Sequence, residues 1–122
     1  MSKVVLLAED NDFIRNMYQL KLSKAGLTVE EAVDGKMALE KIKAKKPDLL
    51  LLDMMMPNMS GSDVLASIRE TDPRIPVLAV SALSGLSTAE EWQSADGHME
   101  KQIDFDDLLA RVEALTSGRP RP

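Results

Sequence analysis

Residues 47–61 read PDLLLLDMMMPNMSG, and the leucines from Leu49 to Leu52 carry the fold class. An unbroken run of bulky apolar residues suits a strand covered on both faces, and such strands belong to parallel sheets clothed by helices. Similar runs stand at Lys3–Ala8 and Ile75–Ser81. The whole run with its flank is thus expected at Asp48–Leu52, with a weaker strand at Leu27–Val33 and a very short one around His98–Glu100.

Between the strands the apolar period changes to that of a helix. From Asp12 to Ala25, Phe13, Met17 and Leu20 share one stripe, with Ile14, Tyr18 and Leu22 beside it, and Gly26 stands where a C-capping glycine is expected. Asp34 can cap a second helix running to Lys45, which Pro47 forbids from continuing. A third runs from about Ser62 to Thr71 with Val64, Leu65 and Ile68 inward. In the last, Phe105, Leu108, Leu109, Val112 and Leu115 keep helical spacing, Asp104 is a suitable N-cap and Ile103 can staple on Leu108. The segment Leu83–Ala95 is thin in apolar residues, so its helix is expected to be short, mobile or poorly packed.

Strand and helix thus alternate five times. Helical crossovers between parallel strands give an open, doubly wound α/β sheet of five strands with helices on both faces. At 122 residues there is room for one compact domain. The net charge of −5 offers no basic face to a nucleic acid or a lipid surface. The absence of cysteine removes disulfides, thiolate metal sites and cysteine nucleophiles. The apolar run ending at Ala8 is too short for a signal core or a membrane span, so the chain is expected to be cytoplasmic.

In open α/β sheets ligands bind beyond the carboxyl ends of the strands. Glu9 and Asp10 follow the first strand, Asp53 the third, Ser81 the fourth and Lys101 the fifth. Taken singly, these are capping, turn or surface residues; their coincidence on one rim points to chemistry. Crowded carboxylates repel one another by on the order of a few kcal/mol per pair at intermediate dielectric. A bound cation relieves this, and an all-oxygen site suits Mg²⁺. Asp53 can then act as a nucleophile toward phosphorus, with Lys101 and the Ser81 hydroxyl holding phosphoryl oxygens.

On Val4–Asp12 (VVLLAEDND), Pro47–Gly61 and Ile75–Ala82 (IPVLAVSA), the chain resembles the receiver domain of two-component response regulators over residues 3 to about 116. Its most specific feature is Asp53, four residues before Pro57 and eight before Gly61. The resemblance implies a flavodoxin-like (βα)5 fold with strand order 2-1-3-4-5 and a receiver domain over residues 1–117; the tail over 118–122 has no core-forming residue and is expected to be disordered. It implies that Asp53 is the phospho-acceptor and that Asp10 and the Met55 backbone carbonyl ligate Mg²⁺, with Glu9 acting mostly through a bound water. Ser81 would move toward the phosphoryl group and Lys101 would pair with it. The donor would be a phosphohistidine on a histidine kinase or histidine phosphotransfer protein. The readout would be contact with a downstream target protein through the Leu83–Ala95 helix, the fifth strand and the last helix. The chain is then a stand-alone signalling receiver, not an enzyme acting on a separate substrate.

Two positions depart from the family pattern. Gln102 follows Lys101 where proline is usual across a cis peptide; a non-proline cis bond costs about 2.5–4 kcal/mol, so a trans bond and a reshaped loop are expected. His98 stands where an aromatic switch residue is usual, and reads either as a plain exposed ring or as a titratable reporter of Ser81 movement. These departures leave open a pseudo-receiver that docks partners without phosphorylation. A dinucleotide site would want a glycine-rich loop where Glu9–Asp12 stand, and an aspartyl phosphatase would want an acid where Met55 stands.

Overall fold

A computed structural model of the chain describes residues 3–54, 56, 59–72, 74–81, 95–100 and 105–116. Its elements are β1 (Val4–Ala8), α1 (Asp12–Lys24), β2 (Thr28–Ala32), α2 (Gly35–Ala44), β3 (Leu49–Asp53), α3 (Gly61–Thr71), β4 (Val77–Ser81), β5 (Gly97–Glu100) and α4 (Phe105–Leu115). The strands form a single parallel sheet in the order β2-β1-β3-β4-β5, as the resemblance implied. The segment 82–94, the Lys101–Gln102 bond, Ile103, Asp104 and the tail from 117 lie outside the described residues, and so do the expectations attached to them.

Why the strands lack polar alternation is visible in β3, all five of whose residues are buried. Leu50 and Leu52 face one way, into a cluster with Leu6, Ala8, Val77 and Ala79 beneath Ile42 of α2 and Leu65 and Ile68 of α3. Leu49 and Leu51 face the other way, into a cluster with Val5, Leu7, Leu78 and Val80 beneath Tyr18 and Leu22 of α1 and Leu108 and Val112 of α4. With an apolar layer on both sides, a slip of one residue would still bury leucine but would carry Asp53 to the wrong face. The weak run at β2 belongs to a sheet edge, where Glu30 and Glu31 replace apolar residues and discourage pairing with another chain.

Helix ends form where the sequence places their caps. Asn11 accepts from the Ile14 amide, Asp34 from Met37 and Ser60 from Asp63. At the far end of α1, Gly26 takes φ +93°. Its amide reaches the Ser23 carbonyl and that of Leu27 reaches Leu22, which closes the helix in a left-handed turn that suits glycine. One α1 stripe differs from expectation. Tyr18 and Leu22 are buried, with Ile14 packed against them, whereas Phe13 is 71% and Leu20 51% exposed. The helix can turn only one stripe to the sheet, and Tyr18 is fixed inward by an edge-to-face contact with Phe105 at 5.9 Å.

The amino ends of the strands are tied by two aspartates. Asp48 accepts from the Val4 amide at 2.7 Å while its own amide donates to the Val4 carbonyl. Asp96, just before β5, accepts from the Val77 amide at 2.7 Å and from Arg69 of α3 at 2.8 Å. Among the described residues, no helix is long and apolar enough to cross a membrane. Replacing Asp96 by Ala removes the partner of the Val77 amide and one of the partners of the Arg69 guanidinium, which keeps the Ile75 carbonyl. A loss of about 1.5–3 kcal/mol is expected from hydrogen bonds to a charged group, to be read from the urea midpoint.

Candidate functional site

The strand register builds the rim. Ala8 of β1 lies level with Leu52 of β3, so Glu9 and Asp53 emerge side by side on neighbouring strands. Asp53 pairs with Val80, which places Ser81 one step further along β4, and Ser81 in turn pairs with Glu100, the residue before Lys101. The sheet thus gathers the carboxyl ends of β1, β3, β4 and β5 at one edge. Ser81 is placed there by its backbone alone, and Met55 and Lys101 lie outside the described residues.

Glu9 and Asp53 are buried to 1% and 2% exposure, and Asp10 is exposed. One carboxylate oxygen from each lies within 4.8 Å of the others. Mg²⁺ holds oxygen ligands at about 2.0–2.1 Å, so two oxygens on opposite sides of one ion stand about 4.2 Å apart. The three acids therefore fit a shared hard cation with little adjustment, and their oxygen-only chemistry suits it. Glu9 is also held by its backbone: its amide donates to the Ala32 carbonyl at 3.0 Å, and its carboxylate accepts from the Asn11 amide at 3.1 Å.

The end of β3 is seated by Gly61. Its amide donates to the Met54 carbonyl at 3.1 Å, and Met54 itself donates to the Val80 carbonyl, extending the ladder past Asp53. A β-carbon on Gly61 would meet the Asp53 carbonyl at 2.8 Å and the Met54 backbone closer still. The spacing of eight residues between Asp53 and Gly61 is therefore a packing requirement: the chain leaves β3, and α3 begins pressed against the peptide that follows Asp53. Met54 and Met56 are buried in the cluster beneath α2 and α3, where they fill the core.

These features decide what family the chain fits. The sequence profile described as the response regulator receiver domain matches residues 5–113. The chain is a response regulator receiver domain. A response regulator named MprA from Mycobacterium ulcerans is 38% identical over 117 residues, which cover 94% of this chain and 50% of that protein. MprA from Mycobacterium tuberculosis is 36% identical, with 94% and 51% covered. The chain thus spans about half the length of these curated relatives. Among solved structures, response regulator TrrA from Thermotoga maritima, in complex with Mg²⁺-BeF, superposes with a TM-score of 0.88 at 29% identity, covering 93% of this chain and 98% of that one. A Francisella response regulator receiver domain gives 0.88 at 30% identity, with 95% and 98% covered.

Sequence reading missed one residue at this receiver's rim. Arg15 looks like half of a surface pair with Asp12, yet its guanidinium turns inward to the Glu9 carbonyl. His98, in the edge strand β5, is exposed, and its carbonyl accepts from Arg111 of α4 at 3.1 Å. Substituting Gly61 by Ala pushes α3 off the Asp53–Met54 backbone. A destabilisation of about 1–3 kcal/mol, as for overpacked cores, is expected in chemical unfolding.

Proposed function

We propose that this receiver accepts a phosphoryl group from a phosphohistidine donor onto Asp53 in a Mg²⁺-dependent reaction. In this reading it passes the new state to a downstream protein by contact. The observation that carries the reading is the buried Asp53 carboxylate standing within reach of Glu9 and Asp10. The TrrA neighbour, solved with Mg²⁺ and BeF, supports it.

In the proposed step an Asp53 carboxylate oxygen attacks phosphorus in line with the leaving imidazole nitrogen. The O–P bond forms as the N–P bond breaks, and the electron pair of that bond departs with the imidazole. Asp10, Asp53 and the Met55 carbonyl are the proposed ligands of Mg²⁺, with Glu9 reaching it through water. When bound there, the ion would offset the rim's negative charge and shield the incoming phosphoryl oxygens. Lys101 takes one phosphoryl oxygen and the Ser81 hydroxyl another. Their chain positions, at the ends of β5 and β4, support these roles. That step and hydrolysis of the Asp53 acyl phosphate, in which water takes the phosphoryl group as inorganic phosphate and the carboxylate is restored, are the only reactions in this reading. His98, near the end of β5, is the candidate reporter of the phosphorylated state.

Incubation with a small phosphodonor and Mg²⁺ is expected to add the mass of one phosphoryl group to the intact protein, and Asp53→Ala to abolish the gain. Asp10→Asn is expected to raise the Mg²⁺ concentration required by about tenfold or more. No mass gain in the wild-type protein would overturn the proposal. In this reading the residues two positions beyond Asp53 and Ser81 in the chain, Met55 and Leu83, are apolar and offer no group to orient an attacking water. The phosphorylated form is therefore expected to be long-lived. Met55→Asn should shorten its lifetime, followed by the decay of the added mass after the donor is removed.

A further inference from the structure

The guanidinium of Arg15 is spent on the backbone that carries the two acids after β1. It donates to the Glu9 carbonyl at 3.0 Å and reaches the Asp10 carbonyl at 3.5 Å. It also pairs with Asp12 and stands 3.8 Å from Glu31 of β2. The side chain is 12% exposed, although it belongs to the first turn of α1. A surface pair at this helical spacing would leave the arginine in water and contribute only a few tenths of a kcal/mol. Here the fork is turned inward, to a loop that no strand pairing holds beyond Glu9.

We infer that Arg15 is a positioning residue for the divalent cation, fixing the Glu9–Asp10 peptide so that both carboxylates face the ion, and that Glu31 holds Arg15 in turn. The inference rests on the Mg²⁺ reading given above. Two effects of the arginine oppose each other. Its positive charge repels an arriving cation, while its hydrogen bonds hold the loop in the binding shape. Asp12 and Glu31 offset most of that charge, so the geometric effect dominates.

The two effects predict different outcomes for two variants. If charge dominated, Arg15→Gln would tighten Mg²⁺ binding and Arg15→Lys would leave it unchanged. If positioning dominates, both weaken it, because lysine keeps the charge but its single ammonium cannot hold the Glu9 and Asp10 carbonyls while also reaching Asp12 and Glu31, as the fork does through Nη1, Nη2 and Nε. Mg²⁺ affinity is measured calorimetrically on the full chain without phosphodonor, together with amide exchange of residues 9–12 in metal-free protein. Both variants are expected to bind about tenfold more weakly, the range seen when a group supporting a metal ligand is lost. The Asn11 amide, which Glu9 accepts, should exchange faster in both. Glu31→Gln, which leaves Arg15 in place, should show a smaller loss in the same direction and serves if either Arg15 variant fails to fold. Wild-type binding with unchanged or tighter affinity in the variants overturns the inference alone. A wild-type protein that binds no Mg²⁺ overturns the metal reading and this inference with it.

Discussion

Glu9 and Asp53 end adjacent parallel strands with their carboxylates almost sealed from water, and much of the surrounding architecture answers that crowding. Two buried carboxylates lose hydration and repel one another, so each must be held by directed contacts or share a cation. Neighbouring groups supply the first remedy. The Asn11 amide points at Glu9, and Glu9 is tied to β2 through Ala32. Asp10, at the exposed lip, completes a set of oxygens suited to the second.

Holding that geometry requires a sheet that cannot slide. The alternation of β3 between two apolar layers provides it, with α2 and α3 over one face and α1 and α4 over the other. Leu50 and Leu52 define one side of the strand and Leu49 and Leu51 the other, and the same alternation sets Asp53 on the α1 and α4 side of the rim. Gly61 then brings the amino end of α3 against the strand end, where any β-carbon would intrude. Rigidity at Asp53 thus comes from apolar packing below it and a close backbone approach beside it.

The two ends of the sheet differ in kind. At the amino ends, Asp48 and Asp96 are consumed by backbone amides and by Arg69, and serve the fold. At the carboxyl ends, the acids gather side by side where their repulsion is unfavourable for stability, the usual mark of a site kept for binding. Aspartate is therefore read by its partners and not by its residue type. The exposed Phe13 and Leu20 on α1 make the same point for apolar residues: helical spacing identified two stripes, and the ring of Phe105 selected which one is buried.

Much was legible in the residue order, because local chemistry forces it. Unbroken leucine and valine runs give doubly covered strands, Asp34 and Gly26 bound their helices, and the spacing from Asp53 to Gly61 marks the loop that joins β3 to α3 in a receiver. The acids at the rim were legible too, since the ends of parallel strands must share one edge. Folding in three dimensions settled what depends on distant partners. It brought Glu9 and Asp53 level through the β1–β3 register, turned Arg15 from an apparent surface pair to a clamp on the Glu9 carbonyl, and gave Asp96 its bond to Arg69. Hydrogen bonds and charges act over a few ångströms of space, and residues separated by tens of positions come that close only once the sheet has assembled.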